Sequence, residues 1–118
     1  MPPKKITTGL MVLMLSATLP LAHGAPAQII TSPPPARRAV LIDMVREDCG
    51  SCHGSRLTGG LGPALTPQAL KGKNPISLKD TILFGRPNTP MPPWNPFMSN
   101  AEAAWIVNRL MKGFPHAQ

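Results

Sequence analysis

The 118-residue chain has no tyrosine, two tryptophans, three phenylalanines, two cysteines and five acidic residues. With so few aromatics, a chain this small buries too little apolar surface to fold with much margin, unless something staples it or fills its centre. The basic residues are scattered and no aromatics are interleaved with them, which argues against nucleic acid. No hydrophobic run reaches the roughly 20 residues that span a bilayer; the longest, GLMVLMLSATL from Gly9 to Leu19, is shorter. No segment alternates apolar and polar residues as a half-buried strand does, and no internal repeat is visible. There is room for one small domain and not for a second core.

Lys4 and Lys5, the apolar stretch, Pro20 and the small residues after it read as a secretory signal over residues 1–27. Cleavage is expected near Gly24 or Ala27, leaving no membrane anchor and exporting the mature chain to an oxidising compartment. The mature part then carries ten basic and five acidic residues, a balance of +5. That excess suits solubility, or docking to an acidic partner.

Residues 28–35 (QIITSPPP) form a Pro-rich lead expected to be extended and mobile. The domain proper is expected over 36–114. Val40, Leu41, Met44 and Val45 recur at helical spacing, so residues 36–48 are predicted to be a helix running straight into CGSCH, residues 49–53. GSRLTGGLGPA, 54–64, is a glycine-rich loop that must turn tightly or approach something flat. Thr66 and Pro67 open a short turn through Leu70. Ser77 and Asp80 look like a capping pair for a helix over 78–84, stopped by Gly85. Residues 85–97 (GRPNTPMPPWNPF) hold five prolines and are a stiff loop. Ser99 and Glu102 form a capping box for a last helix, ended by Gly113 and Pro115. The class is all-α, with three main helices and long irregular connections.

CGSCH holds the only two thiols of the chain beside an imidazole. A structural zinc site takes four ligands, and the mature chain offers Cys49, Cys52, His53 and the remote His116; His53 directly follows Cys52 and cannot easily share one tetrahedral ion with both thiolates. A redox dithiol of the same spacing belongs in a βαβ context, absent here, and leaves His53 without a role. Covalent haem uses every residue of the motif. Cysteines at i and i+3 lie on one helical face, where they can form thioethers to the two haem vinyl groups, while His53 reaches the iron. A large flat cofactor also accounts for the thin core and the glycine-rich loop. Pro63, ten residues beyond His53, can accept the second ring N–H of that histidine at its carbonyl.

The sixth ligand separates an electron carrier from a haem enzyme or gas sensor with an open iron position. Met44 and Met111 sit at core spacing, Met98 beside the Ser99 cap, and His116 near the C-terminus. Met91 stands between Pro90, Pro92 and Pro93, in a loop with few soft dihedrals, where a thioether is held at a metal at little entropic cost. Met91 is therefore the favoured ligand, with Met98 and His116 as alternatives. No bond-making catalytic residue is identified, so the expectation is a carrier rather than an enzyme. Lys71, Lys73, Lys79 and Arg86 are candidates for steering it to an acidic partner.

CGSCHG, LTGGLGPAL, GRPNTPMPPW and EAAWIVNRL together resemble the class I c-type cytochromes over most of residues 36–112. That resemblance implies a small fold wrapped around one haem c, attached at Cys49 and Cys52 and ligated by His53 and Met91. It also implies crossed first and last helices, with Trp105 packed there against Val45 or Leu41. The longer strings CGSCHG…LTGGLGPALTP and GRPNTPMPPW are similar to the cytochrome c55X group. The group implies a monomeric periplasmic one-electron carrier of the denitrification nitrite reductase system. Its partners would be cytochrome cd1 nitrite reductase or the haem d1 assembly proteins, besides other periplasmic redox proteins. Electron donation to the reductase and a part in haem d1 maturation both stay open.

Overall fold

In the computed structural model, residues 31–115 are described, together with Met1 and Pro3. The signal, both cleavage sites and His116 otherwise lie outside the described residues. Helix α1 spans Pro35–Met44. Proline at its first position, already fixed near helical φ, starts the helix without a side-chain cap. Leu41 and Val45, one turn apart, are completely buried, whereas Val40 is half exposed.

The helix does not run unbroken into the cysteine motif. Val45–Cys49 form a π-helical turn, closed by the Gly50 N–H donating to the Val45 carbonyl. Helical periodicity over 36–48 cannot show such a widening, which inserts extra backbone into one turn without disturbing the apolar stripe before it. The short α2, Gly50–His53, follows.

Helix α3, Pro67–Leu70, has the expected start: Thr66 Oγ1 accepts the Ala69 N–H at 3.3 Å, and Pro67 occupies the first turn. Helix α4 runs over Pro75–Phe84, three residues earlier than predicted. Its cap is Asn74, whose Oδ1 accepts from the N–H groups of Ile76 (2.8 Å) and Ser77 (3.3 Å). Asn-Pro joins a cap side chain to a first-turn proline and begins the helix before Ser77 is reached. The Asp80 carboxylate instead meets Lys79 Nζ at 3.2 Å. Helix α5, Asn100–Lys112, carries the full capping box: Ser99 Oγ accepts the Glu102 N–H at 3.2 Å, and Glu102 Oε2 accepts the Ser99 N–H at 2.7 Å. Among the described residues no strand forms, and no helix is long and apolar enough to cross a membrane.

Trp105, Ile106 and Leu110 of α5 join Leu41, Val45, Leu70 and Leu83 in one buried cluster. The expected neighbourhood of Trp105, Leu41 and Val45 is therefore present. Across the top of α1 and α5, Arg37 Nε donates to Glu102 Oε1 at 2.7 Å and Arg37 Nη2 donates to the Phe97 carbonyl at 2.7 Å. With two hydrogen-bond partners on the charged form, the Glu102 carboxyl is held at about 2, mainly by the Arg37 guanidinium and the Ser99 N–H.

Candidate functional site

The helices and the two long loops enclose a cavity of about 760 Å³. That lies within the roughly 300–1,000 Å³ typical of cofactor sites. Its wall is mostly apolar, built from side chains such as Leu70, Ile82, Trp94 and Ile106. An apolar wall of this extent in so small a domain suits a large apolar group whose atoms would contact the lining side chains. This is the missing piece that the thin core implied.

Cys49, Cys52, His53, Pro63 and Met91 all line this cavity. The π turn and α2 deliver the motif, with Cys49 and Cys52 each half-buried and not joined to each other by a disulfide. Before any group is attached, burial, with the Asp48 carboxylate second, pushes the Cys49 thiol up to about 11. His53 Nδ1 lies 2.6 Å from the Pro63 carbonyl oxygen. A carbonyl only accepts, so Nδ1 carries the proton, and in the neutral ring Nε2 keeps its lone pair free for a metal.

The glycine-rich loop is bound to the backbone of the motif. Gly62 N–H donates to the Cys52 carbonyl and Gly59 N–H to the His53 carbonyl, both at 2.8 Å. At Gly62 the chain passes so close to the imidazole that an added Cβ would sit 2.8 Å from His53 Cε1 and 2.9 Å from Nδ1. The ring is thus clamped between a hydrogen bond and a bare backbone.

The Met91 loop is as tightly wired. Met91 N–H donates to Thr89 Oγ1 at 3.3 Å, and the Met91 carbonyl accepts from the Arg86 N–H at 3.2 Å. Trp94 and Asn95 N–H groups donate to the carbonyls of Ile82 and Leu83, both at 3.1 Å, docking the loop on the end of α4. Gly85 sits at φ +69°, and a Cβ there would fall 2.7 Å from the Met91 carbonyl oxygen. No L-residue with a side chain fits that crossing without moving the loop.

Met44 and Met111 pack on the core away from the cavity wall, whereas Met98, buried in the core, also reaches it. Lys73 and Arg86, two of the four cations offered for steering, are exposed and also line the cavity, a second placement that the sequence reading did not foresee. The signal that could have found Arg86 is its position in the same Pro-rich loop as Met91.

A covalent attachment motif opening into an apolar cavity, closed by a methionine loop and framed by a first and a last helix, defines a small c-type cytochrome of class I. A family model described as cytochrome c oxidase, cbb3-type, subunit III matches residues 42–108. Cytochrome c55X of Pseudomonas aeruginosa is 52% identical over 101 residues, 86% of this chain and 85% of the relative. A solved c-type cytochrome NirC superposes with a TM-score of 0.67 and 58% identity, covering 69% of this chain and 95% of that one. A solved dihydro-heme d1 dehydrogenase NirN, in complex with DHE, gives a TM-score of 0.56 and 33% identity over 64% of this chain but 16% of that one. The chain belongs to the cytochrome c55X family, and its cofactor is covalently bound haem c.

Proposed function

We propose that this protein is a periplasmic monohaem electron carrier, expected to be monomeric, serving the cytochrome cd1 nitrite reductase system. The observation that carries the reading is the convergence on one apolar cavity of both motif thiols, the His53 ring and Met91. Haem c, when bound, supplies one-electron cycling between Fe(III) and Fe(II).

The residues divide the remaining work. Cys49 and Cys52 hold the group by thioethers. His53 would hold the iron through Nε2, with the Pro63 carbonyl fixing the tautomer and ring angle through Nδ1. Met91 would offer its thioether as a further ligand, a donor that favours ferrous iron and raises the potential. The apolar wall excludes water and keeps reorganisation on electron transfer small.

A second reading is an electron acceptor or accessory protein in haem d1 biogenesis, favoured by the similarity to part of a dihydro-heme d1 dehydrogenase. A haem enzyme or gas sensor with an open axial position is the third reading, and Met91 on the cavity wall weighs against it. Two rapid-mixing experiments separate the first two. Reduced holoprotein mixed with cytochrome cd1 nitrite reductase is expected to be oxidised within the mixing experiment. If it stays reduced there, while oxidised holoprotein is reduced by dihydro-haem d1 dehydrogenase turning over its substrate, the biogenesis role replaces the carrier role.

A further inference from the structure

Three side chains with a formal charge interrupt the cavity wall: Asp48, Lys73 and Arg86. Asp48 adjoins Cys49 at the attachment end. Lys73 lies between α3 and α4, its N–H donating to the Leu70 carbonyl at 3.1 Å, and Arg86 opens the Met91 loop, its N–H held by the Met91 carbonyl at 3.2 Å. Both cations are exposed as well as wall-forming, so they stand at the rim of the cavity and not on its floor.

Neither belongs to an ion pair among the described residues, where the pairs are Arg37 with Glu102, Arg46 with Asp43, and Lys79 with Asp80. Standing at the rim with their stems on an apolar wall, they are free to meet an anion carried by whatever fills the cavity. Haem c is an apolar ring bearing two propionate carboxylates. The ring matches the floor of this cavity, and its carboxylates need cations at the edge.

We propose that Lys73 and Arg86 take the haem propionates, and through that pairing help set the reduction potential. The guanidinium of Arg86 suits a carboxylate in fork geometry, and the ammonium of Lys73 acts as a point charge. Positive charge beside the ring favours Fe(II) over Fe(III). These two residues thus differ in role from Lys71, which does not reach the wall, and from Lys79, already paired with Asp80. The proposal rests on haem c occupying this cavity and not on which partner takes the electron.

The test is spectroelectrochemical titration of the holoprotein and of its Lys73→Gln, Arg86→Gln and double variants between pH 5 and 9, with Lys71→Gln as the surface control. The other titratable groups on the wall, Asp48 and His53, stay unaltered, and the two motif sulfurs, as thioethers in the holoprotein, do not titrate. At a fixed applied potential, each single variant is expected to be several-fold more oxidised than the parent, and the double variant more so. Their midpoints should gain a pH dependence, because a propionate without its cation binds a proton at higher pH. Arg86→Lys and Lys73→Arg, which keep the charge, should recover most of the parent midpoint, with visible spectra unchanged throughout. Midpoints of the Gln variants that move no further than that of Lys71→Gln would overturn the proposal. So would a shift accompanied by an altered spectrum, since the cations would then act through the iron ligands.

Discussion

Replacing Gly62 by alanine tests the clamp on His53. The added Cβ would stand 2.8 Å from Cε1, 2.9 Å from Nδ1 and 3.2 Å from Nε2 of the ring. Non-bonded carbon contacts settle near 3.5–4.0 Å, so the imidazole or the loop must yield by about 0.7 Å. The loop cannot yield freely, because Gly62 N–H is bonded to the Cys52 carbonyl and Gly59 N–H to the His53 carbonyl. The ring therefore moves, and the 2.6 Å contact from Nδ1 to the Pro63 carbonyl is stretched or broken. Overpacking of this kind costs about 1–3 kcal/mol, with about 1 kcal/mol from the weakened hydrogen bond included. Guanidinium unfolding of the holoprotein reads the loss, and a potentiometric titration reads the altered ligand. Gly50→Ala, inside the same motif, is the control: its Cβ would meet nothing closer than 3.7 Å, and alanine suits the helix. Gly62→Ala with the stability, spectrum and potential of the parent protein would refute the clamp.

Gly85→Ala is expected to displace the Met91 loop, since the residue sits at φ +69° with Met91 O 2.7 Å from the new methyl; partial carbon monoxide binding by the reduced variant at neutral pH checks it. Ser99→Ala removes the cap of α5 and should cost about 1 kcal/mol in denaturant unfolding. The Glu102 carboxyl, lowered from 4.5 to about 2 on folding, contributes stability that is fully present above pH 4.5 and is lost as the pH falls towards 2. Glu102→Gln should accordingly be less stable at pH 7 and lose less stability than the parent between those two pH values, as followed by acid unfolding.

Much of the site could be read directly. The thiols and imidazole of CGSCH and the lone methionine among three prolines stand out through residue type and spacing, and Cys49, Cys52, His53 and Met91 all line the same cavity. The capping box of α5 and the Thr66-Pro67 start were legible because capping is local. The start of α4 was misplaced because Asn74-Pro75 and Ser77 each resemble a helix start, and only the earlier one is used. The π turn at Val45–Cys49 leaves no compositional trace, since it changes the hydrogen-bond step and not the residues. That Lys73 and Arg86, though exposed, also reach the cavity wall was not legible, because a sequence does not say which rim a flexible cation stands on. The pairing of Arg37 with Glu102, 65 residues apart, depends on how the first and last helices meet.

The central claim is an iron closed on both sides by His53 and Met91. The most direct test is the visible spectrum of the dithionite-reduced holoprotein before and after exposure to carbon monoxide at neutral pH, beside that of Met91→Ala. The account predicts an unchanged spectrum for the parent protein and a prompt shift for the variant. A prompt shift in the parent protein would contradict it, and the carrier reading would give way to ligand chemistry at an open iron.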